Sequence, residues 1–300
     1  MGILVTGSEE AEVPPESAEA TPAAVHVEAN LNDKIMRWLE TQGTILELTV
    51  ARKFQEALGR NSYARNVSHG RYYLDRDPIT SEDKFREIDV VVRATPIIRP
   101  SLSLSIWLIL ECKSRIKHPW IFYRSSELTS YSIKFEEAFL IKKNRDFDSG
   151  AIVGLRDVSI FKITRSPFSI GGVAALSKET DEASPAPHGG ISNDSRNGVR
   201  DAILQVLSAT EGISSEVGLD MDGLITAILV PIVVTKAPMF AVTLDDSGEP
   251  RLEPISRELV ITRSSLNDGN LKYVWVIHES EIDGLSAEFA ECLPYIELHM

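Results

Sequence analysis

Between Asn32 and Leu58 apolar residues recur at intervals of four, at Ile35 and Leu39 and again at Leu46, Val50, Phe54 and Leu58. That period predicts helix, with Gly43 as a break between two helices and Gly59 as a stop. The period then shortens. "YARNVSHGRYYLD" predicts a first strand or hairpin, "FREIDVVVRA" a second strand and "LSLSIWLILECKS" a third, with "TPIIRPS" as the turn between the last two. Residues 114–198 contain an aromatic "HPWIFY", an amphipathic stretch from Ile133 to Asn144 and a loop-like "ASPAPHGGISNDSRNG", and are read as an insertion. Beyond them "VRDAILQVLSA" predicts a helix. "LITAILVPIVVT", "MFAVTL", "RELVITR" and "KYVWVIH" predict strands, and "IDGLSAEFAECL" a last helix. The chain therefore reads as α/β, a mixed sheet flanked by helices, with no internal repeat.

Two of these strands carry charge where a buried strand disfavours it. Asp89 stands among Ile88, Val90, Val91 and Val92, and Glu111 and Lys113 end the run Ile106 to Leu110. An ionised carboxylate out of water costs several kcal/mol unless something compensates it. If the turn centres on Pro100, Asp89 lies opposite Glu111, Val91 opposite Ile109 and Arg93 opposite Trp107. Side chains alternate, so Glu111 and Lys113 share one side and Cys112 takes the other. Facing carboxylates repel, and a divalent cation with a neighbouring Lys resolves the conflict. An ordinary ion pair at a strand end is the plainer reading of the same triplet. On the preceding helix Glu47 shares a face with Val50, Ala51 and Phe54, whereas Glu56 lies with Arg52 and Lys53 on the polar side. Glu47 is thus the inward acid, or else an edge residue reaching for solvent.

Charge sharpens this picture. The net charge of -13 argues against a phosphate-rich partner, yet residues 51–165 hold 21 Lys and Arg against 14 Asp and Glu. The basic excess and the charged strands occupy the same third of the chain. Residues 8–24 are rich in Pro, Ala, Glu and Ser, so residues 1–30 are expected to be a flexible acidic tail and residues 31–300 the folded domain, with the insertion at about 114–198. Two cysteines, Cys112 and Cys292, suit a reducing interior, so a cytoplasmic location is expected. Apolar runs such as "AILVPIVV" fall far short of the roughly 20 residues of a membrane span.

Glu47 on a helix, Asp89 on a strand and Glu111-Cys112-Lys113 on the next strand resemble the PD-(D/E)XK nuclease superfamily, the restriction-endonuclease-like fold. The resemblance covers about Asn32 to Lys113 and, more loosely, Val199 to Leu244. Ile88 stands where the family name has proline. The resemblance implies a metal-dependent nuclease, an endonuclease or phosphodiesterase using Mg²⁺ or Mn²⁺ on nucleic acid, DNA before RNA. It implies Asp89 and Glu111 as metal ligands, the Cys112 carbonyl as a further one, Lys113 on the attacking water, and Glu47 on a metal-bound water or second ion. Gln205 or Arg200 would touch phosphate, unless each merely belongs to a polar helix face. A defence role is a guess from fold alone.

Competing motifs are weak: the six histidines show no ligand spacing, and no Gly-Lys-Ser/Thr phosphate loop or serine elbow is present. Trp120, Phe122 and Tyr123 either stack bases or pack in the core. With no helix-turn-helix, zinc module or ATPase motif in the sequence, recognition would come from the insertion, from homo-oligomerisation or from a protein partner. The alternative reading is a non-catalytic nuclease-fold module that binds or assembles within a multiprotein complex.

Overall fold

The computed structural model describes residues 22–59, 65–76, 83–94, 103–114, 119–124, 140–142, 169–175, 193–220, 225–263, 271–291 and 293. The chain divides into two units, Met1–Leu39 and Glu40–Met300. Helix α1 spans Pro22–Gln42, across the expected boundary at residue 30. Residues 8–21 lie outside the described residues. Ile35 is 45% exposed.

In the second unit α2 (Thr44–Leu58) is followed by β1 (Arg65–Arg76), β2 (Asp83–Ala94) and β3 (Ser103–Lys113), in the expected order. Next come β4 (Trp120–Arg124), β5 (Leu140–Lys142) and β6 (Ser169–Ala175), then α3 (Asn193–Asp220). The remainder is β7 (Ile225–Thr235), β8 (Met239–Leu244), β9 (Pro250–Ile255), β10 (Arg257–Arg263), β11 (Leu271–His278) and α4 (Ile282–Glu291). The strands form one mixed sheet in the order β1-β2-β3-β7-β11-β10-β6-β4-β8-β9, with β5 pairing on β7.

The segment expected as an insertion joins the main sheet in part. Residues 114–198 contribute three strands to the main sheet, β4 between β6 and β8 and β6 against β10. The Arg124 guanidinium donates to the 4%-exposed Glu258 carboxylate at 2.8 and 3.1 Å, tying β4 to β10 across β6. Trp120 and Phe122 are buried in the core, which removes them as base-stacking groups, while Tyr123 is exposed.

Two apolar layers sandwich the sheet. On one face Leu46, Val50, Phe54 and Leu58 of α2 and Ile282, Leu285 and Phe289 of α4 pack on Val90, Val92, Leu108 and Leu110. On the other, Val199, Ile203, Val206 and Ile213 of α3 pack on Val91, Trp107 and Ile109. The alternation of β2 and β3 thus sorts their residues between the helices. Pro231 sits inside the central strand β7, where its missing N–H would break a ladder. It falls at the changeover between residues 227–229, paired with β5, and residues 232–235, paired with β11.

Gly212 of α3 lies against the buried Tyr73 ring of β1, and a Cβ there would stand 2.3 Å from Tyr73 Cδ2. In an exposed helix Gly→Ala stabilises by about 1 kcal/mol. Here the sign should reverse: Gly212→Ala is expected to lower stability by roughly 1–3 kcal/mol, as overpacking does, which urea denaturation would measure.

Candidate active site

The β2–β3 ladder pairs Val90 with Leu110, Val91 with Ile109 and Arg93 with Trp107, the register expected from a turn centred on Pro100. The turn itself lies outside the described residues. Bridging stops at Val90, so Asp89 and Glu111 meet just past the ladder's end. There the Cys112 amide donates to Asp89 Oδ2 at 2.6 Å, the side chain taking the place of a strand carbonyl. The β1–β2 ladder runs from Arg65↔Ala94 to Arg76↔Asp83 and skips Gly70 and Asp89 alone. Beyond that point β3 stays paired with β7 through Lys113↔Thr235, which keeps Glu111 and Lys113 on rigid backbone.

Lys113 Nζ donates to Glu111 Oε1 at 2.6 Å and to Gln205 Oε1 on α3 at 2.8 Å. Lys113 and Glu111 project on the α3 side, while the Cys112 thiol is buried on the α2 side. Burial, with the nearby charges of Asp89, Glu47 and Glu111, pushes that thiol well above its ordinary range, so it is no thiolate ligand.

Glu47 enters from α2. Gly43, ahead of that helix, has φ +89° and accepts at its carbonyl from the Leu46 and Glu47 amides. A Cβ at this position would be strained by φ and would stand 3.3 Å from Ser114 Oγ and 3.5 Å from Glu47 Oε1. Glycine thus lets the first turn of α2 approach the end of β3. Glu47 Oε2 lies 2.8 Å from His69 Nε2 of β1. Arg52 and Glu56, on the opposite side, pair with each other, and Lys53 pairs with Asp283 of α4.

The electrostatics register this crowding. Asp89 is raised to about 7, first by burial, then by the Glu111 charge and more weakly by Glu47, against the pull of the Cys112 amide and Lys113. Glu111, 8% exposed, is also raised by burial, with Lys113 opposing and the Glu47 and Glu87 charges adding. Lys113 lowers both acids without offsetting burial and the acidic neighbours.

Of the expected residues, Asp89, Glu111 and Lys113 converge, Glu47 stands within electrostatic reach, Gln205 joins through Lys113, and Arg200 is exposed on α3. The expected four-member ligand set is not assembled as a closed cage: among the described residues no group of three or more His, Cys, Asp or Glu is placed to hold a metal ion. Glu47 is turned to His69, and the two-carboxylate end of the sheet remains. His69 was missed because its partner lies 22 residues away on a different element. The available signal was parity: His69 shares the face of Val67, which packs against the core on the α2 side, so its side chain lies on the side of β1 from which α2 approaches, though exposed.

No family model matches the chain, and neither a curated protein nor a solved structure matches it. No described helix is long and apolar enough to cross a membrane.

Proposed function

We propose that this chain is a metal-dependent nuclease of the restriction-endonuclease-like, PD-(D/E)XK class, hydrolysing phosphodiester bonds in nucleic acid, with DNA the first substrate to test. The observation that carries the proposal is the meeting of Asp89, Glu111 and Lys113 at one end of two adjacent strands, in a setting where the acids outnumber the cation. The run of α2 into β1, β2 and β3, with α3 following after β4–β6 and leading into β7, and with α2 and α3 on opposite faces of a mixed sheet, supports the fold assignment.

The donors suit a hard cation. Mg²⁺ takes one or two carboxylates and fills its remaining positions with water and substrate phosphate oxygens, so a pair of carboxylates suffices where a cage is absent. Asp89 and Glu111 would hold it, with the Cys112 carbonyl as a further oxygen. When bound, such an ion polarises a phosphoryl oxygen and acidifies its water. The protein's part is positional. The Cys112 amide fixes Asp89 Oδ2 and so aims Asp89's other oxygen. Among the described residues Glu111 and Gln205 hold two of the three Lys113 N–H donors, and the third would serve an incoming water or a phosphate oxygen. There the ammonium stabilises charge developing on phosphorus oxygens.

The test is a panel of single- and double-stranded DNA and RNA incubated with the full chain and Mg²⁺, Mn²⁺ or chelator. Metal-dependent cleavage of at least one substrate is expected. Cleavage of none, with Asp89→Asn leaving the protein's partner interactions unchanged, would favour the non-catalytic assembly module.

A further inference from the structure

We infer that His69 is a positioning residue of this site: it holds Glu47 Oε2 and so leaves the other oxygen of Glu47 to hold a water of the ion bound by Asp89 and Glu111. The inference rests on the nuclease reading above and adds a residue from β1 that the sequence pattern did not assign.

Three observations carry it. The contact is short, 2.8 Å from His69 Nε2 to Glu47 Oε2, and it joins an exposed histidine to a half-buried carboxylate that is 16% exposed. His69 is fixed by its strand, opposite Val90, one residue before the Gly70 position that faces Asp89 across the interrupted ladder. Glu47 Oε1 lies on the other side, over Gly43, where a Cβ would stand 3.5 Å from it and 3.3 Å from Ser114 Oγ. A carboxylate with one oxygen held by an imidazole presents the other oxygen in a direction that the imidazole sets. Glu47 also adds to the charge felt by both Asp89 and Glu111, so where it points matters to the acids expected to bind the ion. Partners that orient metal-site carboxylates in this way typically change metal affinity ten- to hundredfold when removed.

The test uses the full chain and Mn²⁺ itself, with binding followed by the loss of the free-ion paramagnetic resonance signal and DNA cleavage measured in parallel. His69→Ala should weaken Mn²⁺ binding roughly tenfold or more. His69→Gln, whose Nε2 can reach Glu47 as the imidazole does, should recover most of it. In a Glu47→Gln background His69→Ala should change Mn²⁺ affinity no further, because the histidine acts through Glu47. Metal-free thermal melts of each variant separate this from simple misfolding, and the Gln variant keeps the test open if Ala does not fold. Wild-type Mn²⁺ affinity in both His69 variants, or an undiminished effect of His69→Ala in the Glu47→Gln background, would overturn the positioning role while leaving the nuclease reading intact. A parent chain that neither binds Mn²⁺ nor cleaves would overturn both.

Discussion

At pH 8 and free of divalent metal, Asp89→Asn should melt at a higher temperature than the parent chain, by roughly 5–10 °C. The sign follows from proton binding. Asp89 titrates near 7 in the fold, whereas an unfolded Asp titrates near 4, so the folded state holds its proton more tightly. Its contribution to stability is present below about pH 4 and is lost as pH rises through about 7, the reverse of a salt-bridged carboxylate. Each unit of displacement corresponds to about 1.4 kcal/mol, which sets a ceiling of about 4 kcal/mol, and sharing with Glu111 reduces it to roughly 2–4. Asparagine keeps an oxygen for the Cys112 amide and removes the charge. At 2–4 °C per kcal/mol for a chain this long, the melting shift follows. The advantage should vanish below pH 4, and Mg²⁺ should stabilise the parent at pH 8 while leaving Asp89→Asn unmoved. Calorimetric scans across pH 4 to 8, with and without Mg²⁺, would check it. An asparagine variant that melts at or below the parent at pH 8 would refute the account of a frustrated carboxylate.

Lys113→Ala should lower cleavage by about a hundredfold to a thousandfold, the range seen when a donor to developing transition-state charge is removed. Nucleic-acid affinity should stay within a few-fold, because affinity is spread over many phosphate contacts and this ammonium is one of them. The loss has a second source. Lys113 is the donor to Glu111, and without it the buried Glu111 takes up a proton more readily. Raising the pH should therefore recover part of the activity of Lys113→Ala, and none is regained through the missing ammonium. Gln205→Ala, which leaves Lys113 on Glu111 alone, should cost less. Single-turnover rates and binding isotherms on one substrate distinguish the effects, and equal losses in affinity and rate would assign Lys113 to binding instead.

The site strands were readable from sequence because their two signals agree. Apolar runs fix β2 and β3, and charges at one end of each fix where burial stops, so the pairing of Val91 with Ile109 followed from a single turn position. The α2 face was readable for the same reason: Leu46, Val50, Phe54 and Leu58 are all buried. Strands β4, β5 and β6 were not. β5 has three residues, and β6 reads Ser-Ile-Gly-Gly-Val-Ala-Ala, whose two glycines weaken any strand signal. β9 begins at Pro250 and contains Pro254, as an exposed edge strand can, and so reads as loop. These segments are strands because neighbours offer them a ladder, which no local window records. The Glu47–His69 contact was hidden for a similar reason, as it joins α2 and β1 across 22 residues and exists only where the two elements meet.

The most direct measurement of the central claim compares parent and Asp89→Asn proteins side by side on DNA, in Mg²⁺ and in chelator, with both shown to be folded by their melts. The parent should cleave in Mg²⁺ and stop in chelator, and Asp89→Asn should cleave in neither. Cleavage that survives Asp89→Asn or chelation would contradict an Asp89–Glu111 metal site.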